Sequence, residues 1–563
     1  MIESQSKRNR LLTRWSALKS ERSSFDAHWR EISDYQQPRA GRFFVTDRNR
    51  GNKRHNHIID STAIFASRTL AAGMMSGMTS PARPWFRLEI ADKQLMESFA
   101  VKSWLHQVAG LIRAIFSSSN TYRALHSMYE ELGLFGTACC VVRPDFENVM
   151  HLYPLTVGEY AIATNDRGVV DTVCREFQMT VGQVVEQFGL KNCSDTVRNL
   201  YNRGQYDAWI DVLHMIQPRR DREYGKVDST NMPFMSCYIE SGRDNWDKYL
   251  SESGFKKFPA LAPRWVVTGN DIYGTSPGME CLGDVKQLQH QQLRKGQAID
   301  YQVNPPLQVP SSYREAAKSR LPGGIFYVDN VGQTAGVRSA YEVNLNLQHL
   351  GVDIMDVRER IRSSYYADLF LMLANDRRSG VTATEIAERH EEKLLMLGPV
   401  LERLHNELLS PMIDLAFDYC TEAGILPEAP RELQGMEIDV EFISVLAQAQ
   451  RAVAAAGMDR LLGTVGQLAA LKPEIVDKVD FDQVVDNYGE MFGVDPKVLV
   501  PDDQVAQIRA QRAQAMQAQQ AAAAAPAVVD AAKTASDIDT GNMRDVLGMF
   551  AGYNSPTSTE MIG

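Results

Sequence analysis

Residues 276–306 read SPGMECLGDVKQLQHQQLRKGQAIDYQVNPP, and this stretch decides the architecture. Ser276 before Pro277 marks a helix start. A serine oxygen accepts a free N–H of the first turn, and proline lacks an N–H that would go unpaired there. Met279, Leu282, Val285, Leu288, Leu293 and Ile299 supply the apolar positions of a helix over 276–301. Asn304-Pro305-Pro306 stops it, because proline cannot donate and disfavours a helical residue before it. Pro and Gly are then frequent over 302–340, around one strand-like run, Ile325–Val328. A second helix follows over about 344–370, with Leu347, Leu350, Ile354, Val357, Ile361 and Tyr365 on its apolar side. Two helices flanking a compact extended insertion make an arm with a small head. Gln287, Gln289, His290, Gln291 and Gln292 crowd together on the first helix, an unusual density of amides.

Upstream, Leu11, Leu12, Trp15, Leu18, Phe25, Trp29 and Ile32 recur at three- and four-residue steps and predict a helix over 8–36, ended by Pro38 and Gly41. Residues 39–57 form a basic loop, with Arg39, Arg42, Arg48, Arg50, Lys53 and Arg54 against Asp47. It reads either as a solvated surface loop or as a contact for an acidic surface or a nucleic-acid backbone. Asp60 can cap the next helix, which ends near Ser80-Pro81. Pro84–Leu88 reads as extended, helices follow over about 96–117 and 123–135, and Gly136 leads into an apolar strand, Ala138–Val142. From 138 to 268 the pattern changes to short alternating runs. Tyr160–Thr164 and Val169–Phe177 flank Asn165-Asp166-Arg167-Gly168, a hairpin signal. Ile210–Ile216, Met235–Glu240 and Trp265–Thr268 are further strand candidates, with short helices at about 181–188 and 195–202. No βαβ rhythm appears. The expected class is α+β, multidomain and mainly helical, with antiparallel pairing.

Downstream, residues 374–381 (ANDRRSGV) are a loop, and Thr382-Ala383-Thr384-Glu385 is a capping box that starts a long helix to about Ala423. Leu394, Leu395, Leu397, Leu401, Leu404, Leu408 and Met412 form its stripe, and Pro399 and Pro411 should bend or split it. Residues 436–500 read as a smaller, mostly helical unit. From 501 the chain turns to Gln and Ala, a helix-forming composition, and 527–563 reads as a mobile tail.

Hydrophobic residues make up 44% and charged residues 23% of the 563, close to globular averages, so a large core can be buried. Lys plus Arg is 60 against 70 Asp plus Glu, a net charge of −10. A histone-like DNA coat is excluded by that balance, because such proteins carry a basic excess. Seven cysteines without a C-x-x-C give neither a zinc ribbon nor a thioredoxin-type site, and the usage suits a reducing compartment. The N-terminal residues have no apolar core of a signal peptide and read as a helix start. Ile58–Thr79 is the best membrane candidate and contains Gly73-x-x-x-Gly77. Asp60 and Arg68 interrupt it, and close helix packing explains the small residues better.

Gly274-Thr275-Ser276-Pro277-Gly278 matches the G-x-S-x-G nucleophile elbow of α/β-hydrolases. That mechanism uses the backbone N–H of the residue after the serine, and Pro277 has none. Ser276 therefore reads as a helix cap, with a serine hydrolase as the distant alternative. No phosphate-cradling G-x-x-x-x-G-K-[ST] occurs, His390-Glu391-Glu392-Lys393 lacks a second histidine, and a lone His55-x-His57 seldom holds a metal. The residues argue against an enzyme and imply no cofactor or metal.

Several stretches, in shared order over about 10–420, resemble the head-to-tail connector, or portal, proteins of short-tailed tailed bacteriophages. They are the Trp29–Pro38 helix end, Ile59-Asp60-Ser61-Thr62 through Leu70-Ala71-Ala72-Gly73-Met74 to Pro84-Trp85-Phe86, and Leu132-Gly133-Leu134-Phe135-Gly136-Thr137-Ala138. Tyr273-Gly274-Thr275-Ser276-Pro277-Gly278, Asn304-Pro305-Pro306, Thr382-Ala383-Thr384-Glu385-Ile386 with Arg389, Leu397-Gly398-Pro399-Val400 and Glu407-Leu408-Leu409-Ser410-Pro411 complete the set. The resemblance implies a ring of about twelve subunits at one capsid vertex. It implies a wing over 1–275, stem helices over 276–301 and 341–371, and a clip over 302–340. A tunnel loop would span 372–381, a long wing helix 382–435, a crown 436–500 and a possible barrel helix 501–526. The implied partners are further copies of itself, the major capsid and scaffolding proteins, the terminase large subunit, tail adaptor or nozzle proteins, and double-stranded DNA held non-specifically, with no membrane. The implied location is the virion's portal vertex, with assembly in the host cytoplasm. A different structural virion protein, such as a tail adaptor or scaffold-associated subunit, is the alternative.

Simple geometry is compatible with that picture. Twelve helices at about 9 Å spacing give an axis radius near 17 Å, and subtracting about 5 Å of helix leaves a hole of about 24 Å. Duplex DNA of roughly 20 Å passes through it. A ring multiplies each cation into a collar, and strong phosphate pairing would hold DNA still. The Gln-rich face, with Gln287 and Gln291, thus reads either as duct lining or as packing between subunits. Asp376, Arg377 and Arg378 would sit in the tunnel loop, where the arginines either graze phosphates or pair with Asp376 or a neighbouring subunit. Tyr313, Arg314 and Lys318 are partner-contact candidates on the clip, or ordinary solvated loop residues.

Overall fold

The computed structural model describes residues 7–46, 57–96, 98–223, 225–226, 228–242, 248–303, 307–308, 338–339, 347–375, 397–433, 438–443, 461–469, 472, 474, 478–485, 500 and 504–516. Helix α1 (Lys7–Tyr35) takes the expected span. Its stripe is buried at Leu11, Trp15, Leu18, Trp29 and Ile32. The two halves of that stripe serve different cores. Leu11, Trp15 and Leu18 lie on a five-stranded sheet, whereas Trp29 and Ile32 enter the main core.

The sheet is antiparallel in the order β4-β5-β6-β7-β8, formed by β4 (Tyr160–Thr164), β5 (Val170–Thr180), β6 (Trp209–Pro218), β7 (Phe234–Glu240) and β8 (Ser251–Phe255). Side chains alternate across it, as the period of two demands. Ala161, Ala163, Cys174, Leu213, Met215, Cys237 and Ile239 meet α1. Val212 and Tyr238 instead meet α6 (Val181–Phe188) and α7 (Asp195–Asn202) on the other face. The β4–β5 turn is the expected hairpin. Gly168 takes φ +75°, and the Asn165 side-chain oxygen accepts the N–H groups of Arg167 and Val169.

The main core is built on α2 (Thr62–Met78), a short α3 (Lys93–Met96), α4 (Phe99–Ser118) and α5 (Thr121–Phe135), with a three-stranded sheet β3-β2-β9. Its strands are β2 (Cys139–Asp145), β3 (Val149–Leu155) and β9 (Ala260–Leu261). The Gly73-x-x-x-Gly77 motif has a packing role. A Cβ on Gly73 would lie 2.1 Å from the Phe370 ring, so glycine is what lets α11 (Ala367–Asn375) close on α2. Among the described residues no helix is long and apolar enough to cross a membrane.

Some expectations are corrected. The helix over 276–301 is two: α8 (Pro277–Glu280) and α9 (Leu282–Val303), separated at Cys281. The helix over 344–370 is α10 (Leu347–Ser364) followed by α11, broken where Tyr366 takes φ +52°. Helix α11 runs on to Asn375, so residues 372–375, expected in the loop before the long helix, are helical. Trp265–Thr268 is no strand. That segment makes one isolated bridge, Val266–Thr275, and the residue before it makes another, Thr137–Arg264. Strands β3 and β8 were not expected, because Pro154 in one and Ser-Glu-Ser-Gly in the other hide the alternation. At the start of the 436–500 segment, read as mostly helical, β12 (Ile438–Phe442) pairs antiparallel with β1 (Phe86–Ile90). The long helix is described from 397. It is disturbed by a π turn at His405–Leu409 just before α12 (Ser410–Glu422). Pro411 near the start of α12 offers no N–H to the helix, and the wider turn absorbs that loss.

Two compact units divide the chain, Met1–Gly493 and Val494–Gly563. In the second, residues 504–516 are helical.

Candidate functional site

The arm formed by α9 and α10 is the distinctive element. Asp284 pairs with Arg360 at 3.4 Å, and Gln291 bonds Asp353. Each step forward on α9 is matched by a step back on α10, so the helices are antiparallel. Beyond them β10 (Leu307–Gln308) pairs antiparallel with β11 (Arg338–Ser339), and a two-stranded ribbon thus continues the arm. Leu282, Val285 and Leu288 of α9 and Ile354, Val357 and Ile361 of α10 are buried at the body end.

At the arm's root the glutamines find a use that periodicity could not show. Gln289 is buried; its side-chain oxygen accepts the N–H groups of Ile59 (2.7 Å) and Asp60 (2.8 Å), and its amide donates to the Asp60 carbonyl (2.8 Å). Gln292 donates to Asp60 Oδ2 at 2.9 Å, and Arg358 of α10 donates to the same oxygen from Nε (3.0 Å) and Nη2 (2.7 Å). Asp60 Oδ1 accepts from Thr62 N (2.9 Å) and Thr62 Oγ1 (2.5 Å). One carboxylate therefore holds the start of α2, α9 and α10 together. The expectation that Asp60 caps α2 is corrected: Ser61 stands at the N-cap without a side-chain cap bond, and Asp60, one residue earlier, accepts from Thr62 at the first helical position.

Burial alone would push the Asp60 carboxyl up, but the hydrogen bonds from Thr62 and Arg358, with the Arg358 charge, hold it below the usual carboxylate range. A folded-state value below the unfolded one stabilises above the unfolded pKa and is lost as pH falls through the folded pKa. The stability gap between wild type and Asp60→Asn should be full at neutral pH and shrink below about pH 4. Denaturant midpoints across pH check this; a gap that does not change with pH would sink it.

A second joint lies beside the first. Ser276 Oγ accepts from Met279 N (3.1 Å) and donates to the Leu134 carbonyl (2.7 Å), fully buried. Both hydroxyl roles are used, so Ser276 is a cap and not a nucleophile. Nearby Cys281 has its thiol pushed up to about 12, chiefly by burial, and is equally unreactive. Gln36 is buried beneath the joint, donating to the Gly278 carbonyl at 2.8 Å and accepting from the Tyr365 hydroxyl. The glycines of the G-T-S-P-G stretch serve close packing. A Cβ on Gly278 would come 2.6 Å from the Leu134 oxygen, and one on Gly274 would come 2.4 Å from the Gly136 oxygen.

Sequence reasoning missed a many-stranded polar contact of the body. Arg264 meets Glu407 of the π turn through Nη2 to Oε1 (2.6 Å), Nε to Oε2 (3.2 Å) and its own backbone N–H (2.9 Å). Its guanidinium also donates to the carbonyls of Gly168 (2.7 Å) and Ile272 (3.4 Å). The available signal was a lone arginine inside the apolar run Ala260–Val267, and Glu407 heading Leu408-Leu409.

Of the site residues expected from sequence, Gln287 is exposed on α9 and Gln291 is taken up by Asp353. Asp376, Arg377, Arg378, Tyr313, Arg314, Lys318, Arg48, Arg50, Lys53, Arg54 and the run Ile325–Val328 lie outside the described residues. So do the capping box at 382–385 and His55. His57 stacks on Tyr35. Among the described residues no group of three or more His, Cys, Asp or Glu is placed to hold a metal.

Comparison with known proteins follows the same lines. A family model described as bacteriophage head to tail connecting protein matches residues 8–499. A probable portal protein of Bordetella phage BPP-1 is 56% identical over 552 residues, 98% of this chain and 99% of that protein. The portal protein of Salmonella phage epsilon15 is 46% identical over 539 residues, 96% of this chain and 97% of that protein. Among solved structures, a chain from the neck of an empty gene transfer agent particle aligns with a TM-score of 0.33 at 11% identity, covering 74% of this chain and 90% of its own.

Proposed function

This chain belongs to the family of bacteriophage head to tail connecting proteins, and we propose on that premise that it is the subunit of a phage portal: a ring of about twelve copies at one capsid vertex. The observation that carries the reading is the end-to-end relation to two portal proteins, at 56% and 46% identity. Double-stranded DNA passes through the ring during packaging and ejection, and capsid and tail proteins attach around it. The finer partners are the terminase large subunit, the scaffolding and major capsid proteins and a tail adaptor or nozzle, with assembly in the host cytoplasm. The ring works by geometry and charge, without chemistry of its own.

The antiparallel arm supports a stem reading for α9 and α10, with the ribbon and the segment between its strands as clip. Gln287, exposed on α9, remains a duct-lining candidate. Gln291 is already bonded within the subunit and is less free to meet DNA. Arg377 and Arg378 are assigned to the tunnel loop as a brake on backward slippage. If so, rings with Arg377→Ala plus Arg378→Ala package DNA but lose more of it before tail attachment than wild type does. Equal retention would remove the brake.

The direct test is mass and shape in solution. A closed ring has about twelve times 63.1 kDa, roughly 757 kDa, and negative-stain images show a central opening. Compact single particles at every concentration would overturn the reading.

A further inference from the structure

The β2–β3 hairpin ends in Asp145-Phe146-Glu147-Asn148, and the Phe146 ring is wholly exposed, at 110% of its reference area. The tip is nonetheless fixed. Asn148 N donates to Asp145 Oδ2 at 3.0 Å, Met150 N donates to the Asn148 carbonyl at 2.7 Å, and Val149 is held at φ +66°. A β-branched residue in the left-handed region is kept only where its surroundings over-determine it, and such strain gathers at functional places. Solvation gives no reason to hold a bare phenyl ring on a rigid tip between two carboxylates.

A recess of matching chemistry lies at the other end of the same hairpin. Trp15, Phe43, Phe44 and Phe177 form the apolar part of a cavity of about 140 Å³ beside Gly158, the glycine just past β3; Lys19, Arg22, Arg42, Glu159, Glu176 and Gln178 form its polar part, and Arg30 stands outside the lining, against the Phe43 and Phe44 rings. A cavity near 150 Å³ is known to take up a benzene ring, so one phenyl group fits. Arg30 lies 5.3 and 5.2 Å from the ring centres of Phe43 and Phe44. Lys19 and Arg42 at the mouth already pair with Glu176 and Glu159, whereas Arg30 has no carboxylate partner among the described residues. Strand β3 spans roughly 20 Å between tip and recess, so Phe146 cannot reach the recess of its own chain.

We propose that Phe146 of one copy seats in the Trp15–Phe43–Phe44–Phe177 recess of the next copy, with Asp145 and Glu147 set against Arg30. The occupant is a second copy because knob and hole sit at opposite ends of one rigid hairpin. Repeating such a head-to-tail contact gives a ring or an open chain, and the former is what the portal reading, on which this inference rests, requires. A central buried aromatic anchor with charged flanks is also the usual make-up of an interface hot spot.

The test uses the full-length protein. Phe146→Ala should raise the subunit concentration needed for ring assembly at least about tenfold, as loss of a hot-spot anchor does, while leaving the monomer's melting temperature unchanged. Phe146→Cys with Phe44→Cys should give a disulfide-linked ladder under mild oxidation that neither single variant gives, the seven native cysteines being buried. Assembly of Phe146→Ala at the wild-type concentration, or no ladder from assembled double-cysteine rings, overturns this contact. A wild-type protein that never forms rings overturns the portal reading instead, so the two failures are told apart.

Discussion

Replacing Arg264 by alanine is expected to destabilise the body by about 3–5 kcal/mol, the cost of breaking a buried ion pair from one side. The arginine is 3% exposed. Removing it leaves Glu407 with the Arg264 backbone N–H and Arg403, which reaches Oε1 at 3.3 Å. The Gly168 and Ile272 carbonyls lose their donor as well. Those two carbonyls belong to the β4–β5 turn and to the segment before α8, so the loss loosens three elements at once. The measurement is a denaturant midpoint with its slope. The companion variant Arg264→Met plus Glu407→Leu should recover most of the loss, because it removes both members of the buried pair and leaves only Arg403, a third exposed and open to water, without its carboxylate. A single-variant cost below about 1 kcal/mol would place the pair with ordinary solvated ones and sink the prediction.

Gly136→Ala should cost about 4 kcal/mol, from backbone strain and overpacking together. Gly136 ends α5 at φ +75°, which alanine adopts poorly. Its added Cβ would also stand 2.3 Å from the Gly274 carbonyl oxygen and 2.7 Å from the Gly274 carbon. Backbone atoms cannot swing aside as a side chain would. They are also fixed here, since Gly274 N donates to Thr137 Oγ1 at 2.9 Å and Trp265 N to the Gly136 carbonyl at 2.9 Å. Gly168→Ala is the control. It has the same φ of +75° but nothing within 4 Å, so it should cost only the conformational part, about 1–2 kcal/mol. Equal melting shifts for the two variants would show that the contact with Gly274 contributes nothing.

Where the deciding signal is local, the sequence was legible. The short helices expected at about 181–188 and 195–202 are α6 and α7. Each carries its own start signal: Thr180 forms a capping box with Gln183, and Ser194 accepts from Val197 N. The Asn165–Gly168 turn and the Ser276 cap were read for the same reason, since each is complete within five residues. Pro277 argued against a nucleophile before burial did. The breaks at Cys281 and Tyr366 were not legible, because the apolar period of each arm helix continues straight across them.

What the amino-acid order determined by itself is therefore most of the helices, the local turn and cap chemistry, and the pair of helices that makes the arm. Helix period, cap and turn chemistry act over three to five residues and leave their mark wherever they occur. Only the tertiary structure decided what those elements are fastened to. Asp60 meets Arg358 across 298 residues, Arg264 meets Glu407 across 143, and β1 pairs with β12 from the far side of the arm. A charge or an amide looks the same in sequence whether it faces water or a partner hundreds of residues away. Gln289 shows the difference: one of a crowd of glutamines in the chain, and in the fold the side chain that ties the arm to the body.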